Sequence, residues 1–438
     1  MRATRRNMEN QVGLGTVRRE ASRRQLESER VRRHTVAPST YSKAYVNLGE
    51  LRADTPGCAH RVHLNNAGAA LMPRPVIDAV LGHLEREATI GGYEAEAEVR
   101  DAIEDSRVAV AGLIAASPDR VAFMEHATAG FVAALSSVRF ESGDVLVTTQ
   151  NDYVSNQIQY LSLASRFGVE VVRAPDAPEG GVDLVAMEEL IHRRRPRLVA
   201  VTHSPTNSGL VQDVAGIGTM CRAREILYLV DACQSVGQMP LDVEHIGCDF
   251  LSATARKYLR GPRGVGFLYV SDRALDAGLE PLFPDMRGAD WITADLYQPA
   301  PDARRFETFE FAWALVLGMG AAARYAKDIG LDPIRDRARA LASSLRARLP
   351  AIDGARVLDR GPELGATVSV AIEGWDPAHV VRELRLRGIN TSSQERTDAV
   401  IDYDAKGVEG ALRISPHYYN LEAEVDVVLG ALAEIVGR

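Results

Sequence analysis

The 438-residue chain is 46% hydrophobic and 25% charged, with a formal net charge of -8; this composition excludes general disorder and, without clustered cations on its main body, argues against a nucleic-acid binder. Its four cysteines, Cys58, Cys221, Cys233 and Cys248, form no CxxC pair, so no metal site and no disulfide framework are expected, and a reducing, cytoplasmic setting fits. No apolar run approaches the roughly 20 residues of a membrane helix, and the N-terminus has no apolar signal core.

Residues 1–40 are rich in arginine (Arg5, Arg6, Arg18, Arg19, Arg23, Arg24, Arg32, Arg33) and read as a solvated, disordered tail. A basic arm for an acidic partner is the other reading, while Glu9, Glu20, Glu27 and Glu29 argue against a transit peptide. From about residue 75 to 270, short β-branched runs alternate with longer amphipathic stretches, which predicts repeated βα units around a mainly parallel sheet. The expected strands are Val121–Met124, Val145–Thr149, Val169–Val172, Leu198–Thr202, Ile226–Val230, Phe250–Ser252 and Val265–Val270, with helices such as Phe131–Val138, Asp183–His192 and Val214–Ala223 between them. After about Phe311 comes a long Ala- and Arg-rich helical stretch through Leu349, then Val368–Ile372, a helix near Ala378–Arg387, Leu412–Ser415 and a last helix from Leu421. The expected organisation is therefore a tail (1–40), an N-terminal segment (41–75) packing with the small domain, a large domain (76–315) and a smaller C-terminal α/β domain (316–438).

In open α/β sheets ligands bind at the carboxyl ends of the strands, which directs attention to the polar residues that follow each run. Glu125-His126-Ala127-Thr128-Ala129-Gly130 opens a helix with small residues, leaving N–H groups at the positive end of the helix dipole, where a phosphate fits; such turns are also commonly structural. Tyr228-Leu229-Val230-Asp231-Ala232-Cys233-Gln234 puts a carboxylate at the end of a buried strand. It serves either as a helix cap or as the partner that keeps a pyridine nitrogen protonated. Ser252-Ala253-Thr254-Ala255-Arg256-Lys257 precedes Gly261-Pro262-Arg263-Gly264, and a lysine so flanked is either solvent-exposed or the residue that forms an imine. The order strand, acid with glutamine, second strand, lysine favours the imine.

With His63-Leu64-Asn65-Asn66-Ala67-Gly68 near the start and Leu412-Arg413-Ile414-Ser415 before Tyr419-Asn420, these landmarks make the chain resemble the class V aminotransferases over nearly all of residues 60–438. That group of fold-type-I pyridoxal-phosphate (PLP) enzymes includes cysteine desulfurases, selenocysteine lyases, isopenicillin epimerases and ergothioneine-pathway sulfoxide lyases. The resemblance implies an α/β PLP-dependent transferase fold, with pyridoxal 5'-phosphate bound to Lys257 as a Schiff base opposite Asp231. It implies that Ala127, Thr128, Thr254 and Arg256 hold the phosphate. Tyr153 would lie over the ring where the family usually has histidine, and Asn207 and Gln234 would reach the cofactor's 3-oxygen. Arg413, with Asn66 and Asn207, would bind the substrate carboxylate. A homodimer with shared sites is implied too, with Arg304-Arg305-Phe306-Glu307-Thr308 at the cross-subunit position, although the family's Gly-Thr pair there is not preserved.

Two departures bear on the reaction. Arg256 stands where most of the family has histidine, adding positive charge that favours a neutral Lys257 amine. The cysteine that desulfurases carry in the small domain is absent from Gly388-Ile389-Asn390-Thr391-Ser392-Ser393, which argues against persulfide-forming chemistry. The expected function is a PLP enzyme that takes an α-amino acid through an external imine and an α-carbanion, with β-elimination of the C–S lyase type preferred. Transamination, then epimerisation, are the alternatives within the enzyme class, and a PLP-binding regulator is the alternative outside it.

Overall fold

The computed structural model describes residues 47–437; the arginine-rich tail lies outside them. After a short helical turn at Leu48–Ala53 come two long helices, α1 (Arg74–Ile90) and α2 (Arg100–Ala111). The chain then alternates through β1 (Val121–Met124), α3 (Ala127–Ser137), β2 (Val145–Thr149), α4 (Val154–Phe167), β3 (Glu170–Ala174), α5 (Leu184–Arg194), β4 (Leu198–Thr202), α6 (Val214–Arg222), β5 (Leu227–Asp231), β6 (Phe250–Thr254) and β7 (Gly266–Val270). These seven strands form one sheet in the order β1-β7-β6-β5-β4-β2-β3, parallel except for β7, which runs antiparallel to both neighbours. Every residue of β1, β2, β4, β6 and β7 is buried. That is the reason these strands read as unbroken apolar runs: helices cover both faces of a βα sheet, so neither face selects polar residues. The short crossovers put the polar residues after β1, β2, β4, β5 and β6 at one edge of the sheet.

The expected elements recur with boundary shifts of a few residues. The larger difference falls between Phe311 and Leu349, where one helical stretch is two helices, α7 (Trp313–Ile329) and α8 (Leu331–Arg348). Gly330 separates them at φ +92°, a left-handed conformation that costs glycine little and ends a helix. Between β7 and α7, a two-stranded antiparallel hairpin of β8 (Ala289–Thr293) and β9 (Leu296–Pro299) projects an almost wholly exposed surface; its aromatic and polar residues carry too weak an alternation to be read as strands. β10 (Ala355–Val357), β11 (Val368–Ile372), α9 (Pro377–Leu386), β12 (Ser392–Glu395), α10 (Val400–Lys406), β13 (Gly410–Ile414) and α11 (Glu422–Val436) follow. Their strands make a second, antiparallel sheet in the order β10-β11-β13-β12, with a hydrophobic core of its own that includes Val368, Leu384, Leu412 and Val428. The segment before α1 joins this second region, since Val62–His63 pairs in parallel with Ile389–Asn390 and Asn65 bridges to Ser415.

Candidate active site

The carboxyl edge of the large sheet gathers a set of buried polar groups. Lys257 follows β6 and is 7% exposed. Among the described residues its Nζ has no hydrogen-bond or ion-pair partner, and the ring of Tyr153 lies 5.8 Å away. Burial pushes the Lys257 ammonium below the ordinary lysine range; Arg256 and Arg413 push the same way, against the pull of Cys233 and Asp231. The lysine's own turn is rigid. Its carbonyl accepts the N–H of Arg260 at 2.9 Å, and Arg260, in left-handed conformation at φ 63°, is a fully buried cation. Its Nε donates to Leu71 O at 2.8 Å and its Nη2 to Thr55 Oγ1 at 2.6 Å, while the guanidinium lies 4.3 Å from the Tyr419 ring centroid and 5.1 Å from that of Tyr418.

Asp231 ends β5 with one oxygen accepting Cys233 N–H at 2.9 Å and the other accepting Asn156 Nδ2 at 3.1 Å. No cation pairs with it among the described residues, so its carboxylate is turned to donors that leave lone pairs unused. The Ala127-Thr128 turn begins α3, whose first N–H groups have no helical carbonyl to bind; His126 Nδ1 accepts the N–H of Ala129 at 3.0 Å. Gly266 pairs with Thr254 across β6 and β7. A methyl group at Gly266 would sit 3.1 Å from Ala127 N and 2.4 Å from Ala253 O, so glycine keeps space open beside the helix terminus. Thr254 Oγ1 reaches Val265 O at 3.4 Å. Arg256 directs a guanidinium nitrogen to the Gly68 carbonyl, which ties the lysine's loop to the 65–70 segment.

Arg413, on β13, is buried beside this edge. Its Nη1 donates to Thr206 O at 3.0 Å and Thr206 Oγ1 at 2.7 Å, and its Nη2 to Asn65 Oδ1 at 3.3 Å. Its Nε has no partner, and no carboxylate pairs with it among the described residues. A buried guanidinium without a counter-anion is costly, and a substrate carboxylate supplies what is missing. Asn207 Nδ2 donates to Asp402 Oδ2 of α10 at 2.7 Å, leaving its Oδ1 buried and unpartnered. Gln234 Nε2 donates to Ala67 O at 3.1 Å and Thr206 Oγ1 at 3.0 Å, and its Oε1 likewise has no partner.

Asn66 is differently employed. Its Nδ2 donates to Ser415 O at 2.7 Å and its Oδ1 accepts the Tyr419 hydroxyl, so it joins the 62–68 segment to the chain after β13. The neighbour of the Arg413 guanidinium is Asn65. Thr308 Oγ1 donates to Glu125 Oε1 of the same chain at 3.0 Å, next to Glu307, whose buried carboxylate pairs with Arg107. Two residues that the sequence did not single out belong here, Asp152 and Asn156. Their only sequence signal was proximity to Tyr153, and an Asp before a helix ordinarily reads as a cap.

A buried lysine without a partner, a strand-end aspartate, a helix terminus kept open by Gly266 and a lone buried arginine together fit pyridoxal phosphate and an amino-acid carboxylate. This arrangement on a seven-stranded sheet defines a PLP-dependent enzyme of fold type I. The sequence matches the family described as Aminotransferase class-V over residues 62–428, and the chain belongs to that family. It is 31% identical over 400 residues to a probable cysteine desulfurase of Methanothermobacter thermautotrophicus, covering 90% of this chain and 99% of that protein. A probable cysteine desulfurase of Pyrococcus abyssi is 29% identical, with 88% and 97% covered. Among solved structures, the apo cysteine desulfurase of Thermococcus onnurineus NA1 superposes with a TM-score of 0.81 at 26% identity, covering 89% of this chain and 98% of that one. The cysteine desulfurase CsdA of Escherichia coli matches in fold, with a TM-score of 0.81 at 23% identity and coverage of 89% and 99%.

Proposed function

We propose that the chain is a PLP-dependent lyase that cleaves the Cβ–S bond of a sulfur-bearing α-amino acid and releases the sulfur fragment directly, as sulfide, persulfide or thiol according to the substrate, with pyruvate and ammonia after hydrolysis. The observation that carries it is the pairing, among the described residues, of a partnerless Lys257, its ammonium pushed down by burial, with a buried Arg413 that has no acid of its own. Arg413 takes the α-carboxylate bidentately and orients the Cα–H bond toward the lysine. Asn207 offers its unpartnered Oδ1 as an acceptor in the same space. Lys257 as the neutral amine takes the α-proton, and Arg256 and Arg413 help keep it neutral. Bound pyridoxal phosphate supplies the electron sink for the pair left by that proton. The departing sulfur keeps the electrons of the broken Cβ–S bond.

The relatives named above are cysteine desulfurases by name, which supports a C–S bond as the one broken. Relay of sulfur through a cysteine of this chain finds no support. All four cysteines precede residue 249, and burial pushes the thiols of Cys58, Cys221, Cys233 and Cys248 up, Cys221 to about 12. A sulfur-accepting cysteine must be a thiolate. The test is a steady-state assay with PLP and cysteine, cystine or a cysteine S-conjugate, without any keto acid. Pyruvate, ammonia and the sulfur fragment (sulfide from cysteine, cysteine persulfide from cystine, a thiol from an S-conjugate) are expected in equal amounts. Turnover that requires a keto acid acceptor sinks the lyase reading.

The active form is a homodimer in this proposal. Phe283 is 85% and Trp291 81% exposed, and with Leu282, Met286, Ile292 and Leu296 they make an apolar surface on and beside the β8-β9 hairpin, larger than single scattered apolar residues warrant. A second copy of the chain covers it. Replacing Phe283 and Trp291 together by aspartate is expected to halve the mass measured by light scattering after gel filtration; an unchanged dimer mass in a folded variant excludes this face. No helix of the described residues is long and apolar enough to cross a membrane, and the unpaired cysteines suit the reducing cytoplasm.

A further inference from the structure

The most heavily hydrogen-bonded carboxylate near the site is Asp152, in the loop between β2 and α4. It is 5% exposed and accepts from five donors. Its Oδ1 takes Tyr153 N at 2.7 Å, Asn156 Nδ2 at 3.2 Å and the Thr202 hydroxyl. Its Oδ2 takes Thr148 Oγ1 and Gln157 Nε2, both at 3.1 Å. No cation joins it among the described residues. Five donors and no acceptor are the surroundings of an ionised carboxylate held without a counter-charge.

Two of those donors lead into the catalytic set. Tyr153 carries the ring 5.8 Å from Lys257 Nζ. Asn156 Nδ2 is shared, since the same nitrogen donates to Asp231 Oδ2 at 3.1 Å. Thr202, a third donor, sits beside Asp231 in the β4-β5 register. An N-terminal cap of α4 would need far less, because one side-chain oxygen on one or two backbone N–H groups completes a cap.

We propose that Asp152 is a positioning residue of the cofactor site: by holding Tyr153 and Asn156 it fixes the aromatic ring over Lys257 and the hydrogen bond that orients Asp231. The inference rests on the reading of Lys257 and Asp231 as the cofactor-binding pair. Burial pushes the Asp152 carboxyl up and the nearby Asp231 charge adds to this, while the bonds from Thr202, Asn156 and Gln157 pull it down. The donor set therefore works directly against the upward shift that burial imposes.

The test uses the full-length chain and pyridoxal phosphate, read by cofactor affinity and by visible absorbance and circular dichroism of the bound chromophore. Asp152→Asn and Asn156→Ala are each expected to weaken cofactor binding about tenfold or more, the scale of a lost buried hydrogen bond to a charged group, and to change the visible dichroic band. Asp152→Glu is expected to restore most of both. Asn156→Ala leaves the other four donors of Asp152 in place, so it decides the matter if Asp152→Asn does not fold: loss of affinity in it supports the inference, parental affinity and dichroism overturn it. Folded Asp152→Asn with parental affinity and dichroism overturns it as well, whatever happens to its thermal stability. A parent chain whose visible band survives Lys257→Ala, or that forms no band, overturns the cofactor reading and this inference together, whereas a parental band that both variants leave unchanged overturns the inference alone.

Discussion

Lys257→Ala is expected to lower turnover of a sulfur-bearing amino acid by at least about 10³-fold, within the range that a positioned acid-base group contributes, while the chain stays folded. The reason is local. Among the described residues Lys257 is the buried amine at this edge of the sheet with no competing hydrogen bond, and its burial, helped by Arg256 and Arg413, favours the neutral form a base requires. The sign of the pH response follows. A folded-state value below that of a free lysine means that the amine form persists to lower pH than a surface lysine would allow, and kcat falls only as pH drops through that depressed value. Measured together, kcat against pH and the visible spectrum check both statements. The covalent band should be missing from Lys257→Ala, and externally added primary amine should recover part of the rate. A variant that keeps the parental rate removes Lys257 from the chemistry.

Arg413→Ala is expected to raise KM for the amino acid by about 10²- to 10³-fold, the equivalent of about 3–4 kcal/mol for a bidentate charge-assisted pair in a buried site. Arg413→Lys should recover little, because an ammonium cannot present two parallel N–H groups. The contrast with the lysine variant is diagnostic. The covalent visible band should persist in Arg413→Ala, since the guanidinium hydrogen-bonds Thr206 and Asn65 rather than Lys257, with only the modest upward shift of the lysine that loss of its charge implies. Amines lacking a carboxylate should show little discrimination between parent and variant. If KM for the amino acid does not move, the carboxylate is bound elsewhere and the substrate orientation argued from this residue falls.

Much of this was legible in the chain because βα units are local devices. A strand of four or five apolar residues followed by a short loop and a helix puts the first polar residue after the strand at the sheet's carboxyl edge, whichever strand is concerned. Ala127, Asp231 and Lys257 were therefore found by position relative to their own strands. Arg413 entered through its Leu-Arg-Ile-Ser motif, since nothing local distinguishes a guanidinium clamp from a surface arginine on a strand. The break at Gly330 escaped notice because Ala- and Arg-rich helices continue naturally through a single residue in sequence, and only the positive φ reveals the stop.

The sequence alone determined the parallel sheet, the edge that carries the candidate site and the residue types present there, because each depends on periodicity and on short-range order. Tertiary structure decided which of those residues meet. Asn65 rather than Asn66 faces Arg413 across 348 positions of sequence, Asn207 is tied to Asp402 across 195, and one amide of Asn156 joins Asp152 to Asp231 across 75. The first two follow from packing the second sheet and the N-terminal segment onto the first, and the third from the lateral order of strands within the first sheet. A side chain's direction and partners in such packing are set by the whole core, and a residue's immediate neighbours in sequence do not encode them.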